Sequence, residues 1–176
     1  MSEIVDPKAL SENADGAYNE GDFENAARLY GEAASVFQAQ GNVVIAAEMR
    51  NNQSVAYLQD KKTQLAYDVV AGTSEAFAVA GDTRRQGIAL ANEATALQAL
   101  NRTDEAIEKY IQSGDAFKKV DEDQLHSSVL QAVAGIYLRR GKFAESMNYL
   151  SASVANVKNP TFKQKLIKLL VRLRLW

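Results

Sequence analysis

A forty-residue recurrence constrains this chain more than any other feature. Ala26 returns as Ala66, Ala106 and Ser146, and Phe37 returns as Phe77, Phe117 and Val157. Ala14, Ser54, Ala94 and Ala134 form an earlier row of small residues at the same spacing. Leu10, Arg50, Leu90 and Leu130 make a third row, and Ala17, Tyr57, Leu97 and Tyr137 a fourth. A fixed period with recurring side-chain size marks an array of like units that bury their apolar faces only by stacking. Within the first unit, Phe23, Ala26, Ala27, Tyr30, Ala33, Ala34 and Phe37 follow helical spacing. They come directly after Gly21-Asp22. Gly21 suits a left-handed helix end, and Asp22 suits an N-cap. The turn recurs at Lys61, Asn101 and Gly141, of which Lys61 is least suited to positive φ. Each unit therefore carries two helices, A and B, with small residues where they cross so that the backbones approach closely.

This reading predicts an all-α, right-handed α-solenoid with units at 7–41, 42–81, 82–121 and 122–158. A basic amphipathic helix over 159–176 follows as a cap or interface. Asp6 and Pro7 are expected to open a helix to residue 20. Further helices are expected over 23–40, 43–59, 63–79, 83–99 and 103–119, with Thr63 and Thr103 as caps. Another follows Asp121-Glu122-Asp123, where acids suit a helix N-terminus, and the next covers 142–157. Asn159 and Pro160 are expected to start the last. The sequence is 47% hydrophobic and 24% charged, a balance that suits a soluble helical domain. It contains no cysteine, which excludes a disulfide framework and a thiolate metal site. Met1-Ser2-Glu3-Ile4-Val5-Asp6 lacks the apolar run of a signal peptide, and the expected location is cytoplasmic.

The pattern resembles the tetratricopeptide repeat (TPR) family. The first unit carries Ala14, Gly21-Asp22-Phe23, Ala26, Tyr30 and Ala33. The fourth carries Ala134, Tyr137, Gly141-Lys142-Phe143, Ser146 and Ser153. The third carries Ala94, Leu97, Asp104-Glu105-Ala106, Tyr110 and Ser113. The usual unit has about 34 residues, so this is a 40-residue variant with longer helices. Arg50 and Thr73 depart from the pattern in the second unit. HEAT-type units also reach about 40 residues but do not call for the Gly-Asp-aromatic turn, and they rank second.

Catalytic chemistry finds little support. His126 is the one histidine, and no cysteine, second histidine or carboxylate pair accompanies it at ligand spacing. The glycines stand singly at turns, not in a phosphate-binding loop. No enzyme, cofactor or metal is implied. The first 145 residues hold 22 acids against 14 bases, which argues against nucleic acid. The TPR resemblance implies a groove lined by the A helices that binds a peptide or a partner protein. Carried over by register, its rows hold Ser11, Asn51 and Gln131; Asn52 and Asn92; Asp15 and Thr95; and Asn19, Gln59 and Arg139. Asn and Gln offer both a donor and an acceptor to a peptide backbone. The same residues also suit an ordinary solvated helix face. The family's clamp for acidic C-terminal tails is not expected: its positions hold Ser11, Asp15, Asn52, Ile88 and Asn92, and only Asn52 fits.

After Glu145 there are six bases and no acid. Leu166, Leu169, Leu170 and Leu173 form one stripe, expected to cover the end of unit four as helix A of an unfinished fifth unit. Ile167, Val171, Leu175 and Trp176 would then face outward as an interface. A protein partner or a second copy is the expected occupant, ahead of an anionic membrane. The two function classes are a binding scaffold and a self-associating or membrane-peripheral subunit.

Overall fold

The computed structural model of the protein describes residues 6–155 and 157–173. It is an α-solenoid, and no strand occurs among the described residues. The first unit pairs α1 (Pro7–Glu20) with α2 (Phe23–Ala39). The second pairs α3 (Val43–Gln59) with a broken helix, α4 (Thr63–Val70) and α5 (Thr73–Val79). The third pairs α6 (Thr83–Ala99) with α7 (Thr103–Lys119), and the fourth α8 (Asp123–Arg139) with α9 (Phe143–Ala155). Helix α10 (Phe162–Leu173) follows. Each helix packs on the next along the chain except across the α4–α5 break, where α4 and α5 each pack on α3 and α6 instead, and α3 also touches α6.

The turns explain this regularity. A left-handed residue stands at Gly21, Gly41, Lys61, Gly81, Asn101, Asp121 and Gly141, with φ between 56 and 84°. Each is followed by an N–H that reaches back to the carbonyl five residues earlier: Asp22 to Ala17, Asn42 to Phe37, Lys62 to Tyr57, Asp82 to Phe77. This is the Schellman closure of a helix end. Side-chain caps are fewer than the sequence predicts. Asp6 and Asp22 act as expected, their carboxylates accepting from Lys8 N at 3.0 Å and Asn25 N at 3.2 Å. Asp82 does the same with Arg85 N at 2.9 Å. Thr63 and Thr103 are already the first helical residues, so Lys62 and Arg102 occupy the cap positions. Lys61 adopts a left-handed conformation that strains an L side chain by roughly 1–2 kcal/mol. Lys61→Gly is therefore expected to stabilise the fold by about 0.5–1 kcal/mol after glycine's own entropy loss. Denaturant midpoints of the two proteins check this, and a fall would show that the Lys61 side chain has a structural role.

The expected single helix over 63–79 is broken at Ala71-Gly72. Gly72 has φ 79°, which L side chains rarely adopt. Thr73 stands where units one, three and four have Ala33, Ser113 and Ser153. Its hydroxyl donates to Val70 O at 2.8 Å and accepts from Asn51 Nδ2 at 2.9 Å. The break thus gains a local hydrogen bond from a side chain that competes with the helix ladder.

Small residues form the crossings. Ala14, Ala26, Ala66, Ala94 and Ala106 are fully buried. The recurring phenylalanines Phe37, Phe77 and Phe117 plug the first three units. Phe77 packs with Ala47, and Phe117 lies against Gly87 in the same register of the next unit. A Cβ at Gly87 would stand 2.8 Å from Phe117 Cε1, so glycine is required by the approach of the ring. Ser113 Oγ donates to Gly87 O at 2.7 Å and ties the two helices there.

His126 on α8 is half-buried, its ring near Gly114 of α7. Burial, reinforced by Lys118, holds its pKa below the ordinary 6.5. The unfolded chain then binds a proton that the folded chain resists. Stability should be full above about pH 6.5 and should fall as the pH drops below it. Asp104 and Glu105, held low by Arg140 and Arg102, titrate further down. Melting temperatures between pH 7.5 and 5.5 are expected to decline for the native chain and to flatten for His126→Asn. Equal slopes would remove His126 as the cause.

Helix α10 overturns one expectation. Thr161 and Gln164, not Asn159 and Pro160, start it. Gln164 N donates to Thr161 Oγ1 at 3.3 Å, and Thr161 N donates to Gln164 Oε1 at 2.8 Å, a reciprocal capping box. Gln164 is buried, and its Nε2 donates to Gln124 Oε1 and Ser127 Oγ, both at 2.9 Å. This polar anchor sets the rotation of the helix. Ile167 and Val171 share the Gln164 side and are half-buried, while Leu166, Leu169 and Leu170 are exposed. These three leucines therefore do not cover unit four, and the side chain of Leu173 falls outside the described residues.

Candidate partner-binding face

The A helices α1, α3, α6 and α8 carry the residues expected to line a groove. On α1, Asp15 is exposed and its carboxylate accepts a short hydrogen bond from the Tyr30 hydroxyl of α2. Burial, then the bond to Asp15, pushes the Tyr30 hydroxyl well above its ordinary pKa. The tyrosine thus stays a neutral donor and leaves Asp15 as the charged acceptor at the surface. Two units on, the pair recurs as Thr95 and Tyr110, 3.0 Å apart. Thr95 Oγ1 donates to Ala91 O at 2.8 Å, so Tyr110 supplies the hydrogen between the two hydroxyls. In the units between and after, the same register holds Val55 with Val70 and Gly135 with Leu150. The polar pairing therefore alternates with an apolar one along the array.

Asp15, Tyr18 and Tyr30 join Asn52 and Val55 around a cavity of about 260 Å³ between α1 and α3. Asn52 is half-buried there and makes no internal side-chain hydrogen bond among the described residues. Of the remaining expected positions, Asn19, Gln59, Thr95 and Arg139 are exposed. Ser11 is half-buried and donates to Lys8 O at 2.8 Å. Gln131, also half-buried, donates to Ser127 Oγ at 3.0 Å.

Asn51 does not belong to an open face. It is 5% exposed, and its amide donates to Ala47 O and Thr73 Oγ1, both at 2.9 Å. Its carbonyl accepts from Asn92 Nδ2 at 3.2 Å. The side chain bridges α3, the break before α5, and α6. Asn92, half-buried, is consequently committed in part to Asn51 and less free than its row suggests. At the C-terminal end, Ile167 and Val171 lie on the inward side of α10, and Leu175 and Trp176 fall outside the described residues.

Three features are not foreshadowed by the sequence pattern. Glu93 on α6 is 4% exposed and pairs with Lys109 Nζ of α7 at 2.9 Å. The two stand equally far from the turn at Asn101, the spacing at which antiparallel neighbours meet. Arg50 and Gln53 line a cleft of about 650 Å³ between α2 and α3, which explains how an arginine is tolerated in the Leu10, Leu90, Leu130 row. An apolar cleft of about 680 Å³ lies on α8 and α9, lined by Leu138, Phe143, Met147 and Leu150, with Phe143 67% exposed.

No protein-family model and no curated protein sequence matches the chain. Solved structures do. The chain is similar to BtubC (BKLC) from P. vanneervenii, with a TM-score of 0.75 at 19% identity over 89% of this chain. It spans 64% of the length of that protein. It is also similar to MamA 41-end from Desulfovibrio magneticus RS-1, with a TM-score of 0.64 at 17% identity, covering 85% of this chain and 75% of that one. The MamA RS-1 ArsTM double mutant gives 0.64 at 18% identity, with 87% and 76% covered. At these identities the likeness is one of fold.

Proposed function

We propose that the chain is a TPR-like, non-enzymatic scaffold that holds an extended peptide segment of a partner protein along its A helices. The observation that carries this reading is the cavity between α1 and α3. It presents a carboxylate held by a tyrosine, an asparagine amide and an apolar floor within one small space. An extended peptide offers alternating N–H and C=O groups that such a mixed site can pair. The exposed Thr95 beside Tyr110 continues the polar lining two units along.

A displayed library of random peptides, selected against the full chain, supplies ligands for the test. The selected peptides are expected to shift amide resonances of α1 and α3. Asn52→Ala with Tyr30→Phe should weaken their binding about thirtyfold, from about 1 kcal/mol for each hydrogen bond lost or misaligned. Peptides that perturb only the α2–α3 cleft or α10, or bind the double variant equally well, would refute the reading.

A further inference from the structure

Beyond the peptide-binding reading, α10 carries a surface that the scaffold role leaves unused. Its inward side is anchored by Gln164, with Ile167 and Val171 beside it. The outward side shows Phe162 84% exposed, Leu166 47%, Leu169 50% and Leu170 38%. At about 100° per residue these four fall within an arc of about 100°. Lys163 flanks one edge of that arc, and Lys165, Lys168 and Arg172 flank the other, all exposed. No acid follows Glu145, whereas the first 145 residues carry 22 acids and 14 bases.

From this juxtaposition we infer that α10 docks the protein on the headgroup layer of an anionic lipid bilayer. The described helix is about 18 Å long at 1.5 Å per residue, and no described helix is long and apolar enough to cross a membrane. The bilayer contact is therefore one of lying in the interface. An apolar stripe bordered on both edges by bases is the arrangement that places leucines among acyl chains and ammonium groups among lipid phosphates. The charge asymmetry also orients the molecule: the acidic body is repelled from an anionic surface while α10 is drawn to it.

The test is flotation of the full chain with phosphatidylcholine vesicles, with and without phosphatidylglycerol. Binding is expected to the anionic vesicles only and to decline as salt is raised. Leu166→Glu with Leu169→Glu should lower the vesicle partition coefficient at least about tenfold per residue, because each leucine would otherwise leave water for the acyl region. Lys165→Gln, Lys168→Gln and Arg172→Gln should each lower it about fivefold. These side chains are exposed, so the melting temperature should not move. If the leucine variant nevertheless melts early, the three basic variants carry the test. Failure to float, equal flotation with neutral vesicles, or undiminished binding of the variants would overturn the assignment. So would light scattering that shows a dimer dissolved by the leucine changes in the absence of lipid binding, because a second copy would then be the occupant. Peptide binding at α1 and α3 is read separately and stands or falls independently.

Discussion

Phe117→Ala is expected to lower the free energy of unfolding by about 3–5 kcal/mol, the range for removing a buried aromatic ring. The ring is 2% exposed and fills a notch that ends on the bare Gly87 backbone. Gly87 offers no side chain to fill the space from its side, so any relaxation must come from the apolar neighbours of the same cluster, such as Ile107 and Val129. The reciprocal change, Gly87→Ala, should cost about 1–3 kcal/mol by overpacking in the native chain. In the Phe117→Ala background it should cost little, because the atoms it would strike are gone. The coupling is read from a double-mutant cycle of denaturation midpoints. In an array that contacts only its neighbours, the loss should also be local. Hydrogen exchange should quicken in α6, α7 and α8 while α1 and α2 keep their protection. Additive costs, or uniform loss of protection, would show that the notch is not what holds α6 and α7 together.

Removing Lys109 should be the next most damaging single change. Glu93 is buried, and its Oε1 is paired with Lys109 Nζ while Oε2 has no partner among the described residues. Lys109→Met would leave the carboxylate buried without its cation. The expected cost is about 3 kcal/mol, at the lower end for a broken buried pair because the Lys109 side chain is 28% exposed. Replacing both partners, Glu93→Leu with Lys109→Leu, should recover most of the loss, because an apolar pair of similar volume carries no desolvation penalty. A double variant as unstable as Lys109→Met would mean that lysine packing, not charge compensation, carries the effect.

The helix boundaries of α3, α6 and α7 were legible to the residue, because apolar periodicity and a punctual turn residue agree there. The break in the second unit was not. Thr73 and Gly72 each read as minor departures, and only the contact with Asn51, 22 positions earlier, turns them into a structural joint. Asn51 was misplaced for the same reason: its register with Ser11 and Gln131 suggests an open row, but the broken helix brings Thr73 over it. The rotation of α10 was illegible because a single polar anchor decided it. Leucine counting favours burying the stripe, yet Gln164 satisfies its amide against α8 and its own capping box. The Asp15–Tyr30 pair was half legible. Tyr30 follows the core period, and nothing in the period reveals that its hydroxyl reaches the A-helix face.

The seven left-handed turns fall at strict twenty-residue steps, but the helices they join alternate in kind. A helix and its neighbour differ in what they face, so the array has a parity as well as a pitch. Inserting or deleting a segment of about 40 residues at a turn would preserve that parity and leave every downstream helix in its present role. A change of about 20 residues would keep every turn intact and yet exchange the two roles beyond it, sending tyrosines outward and polar rows into the core. Array length is therefore open to variation, but only in even numbers of helices.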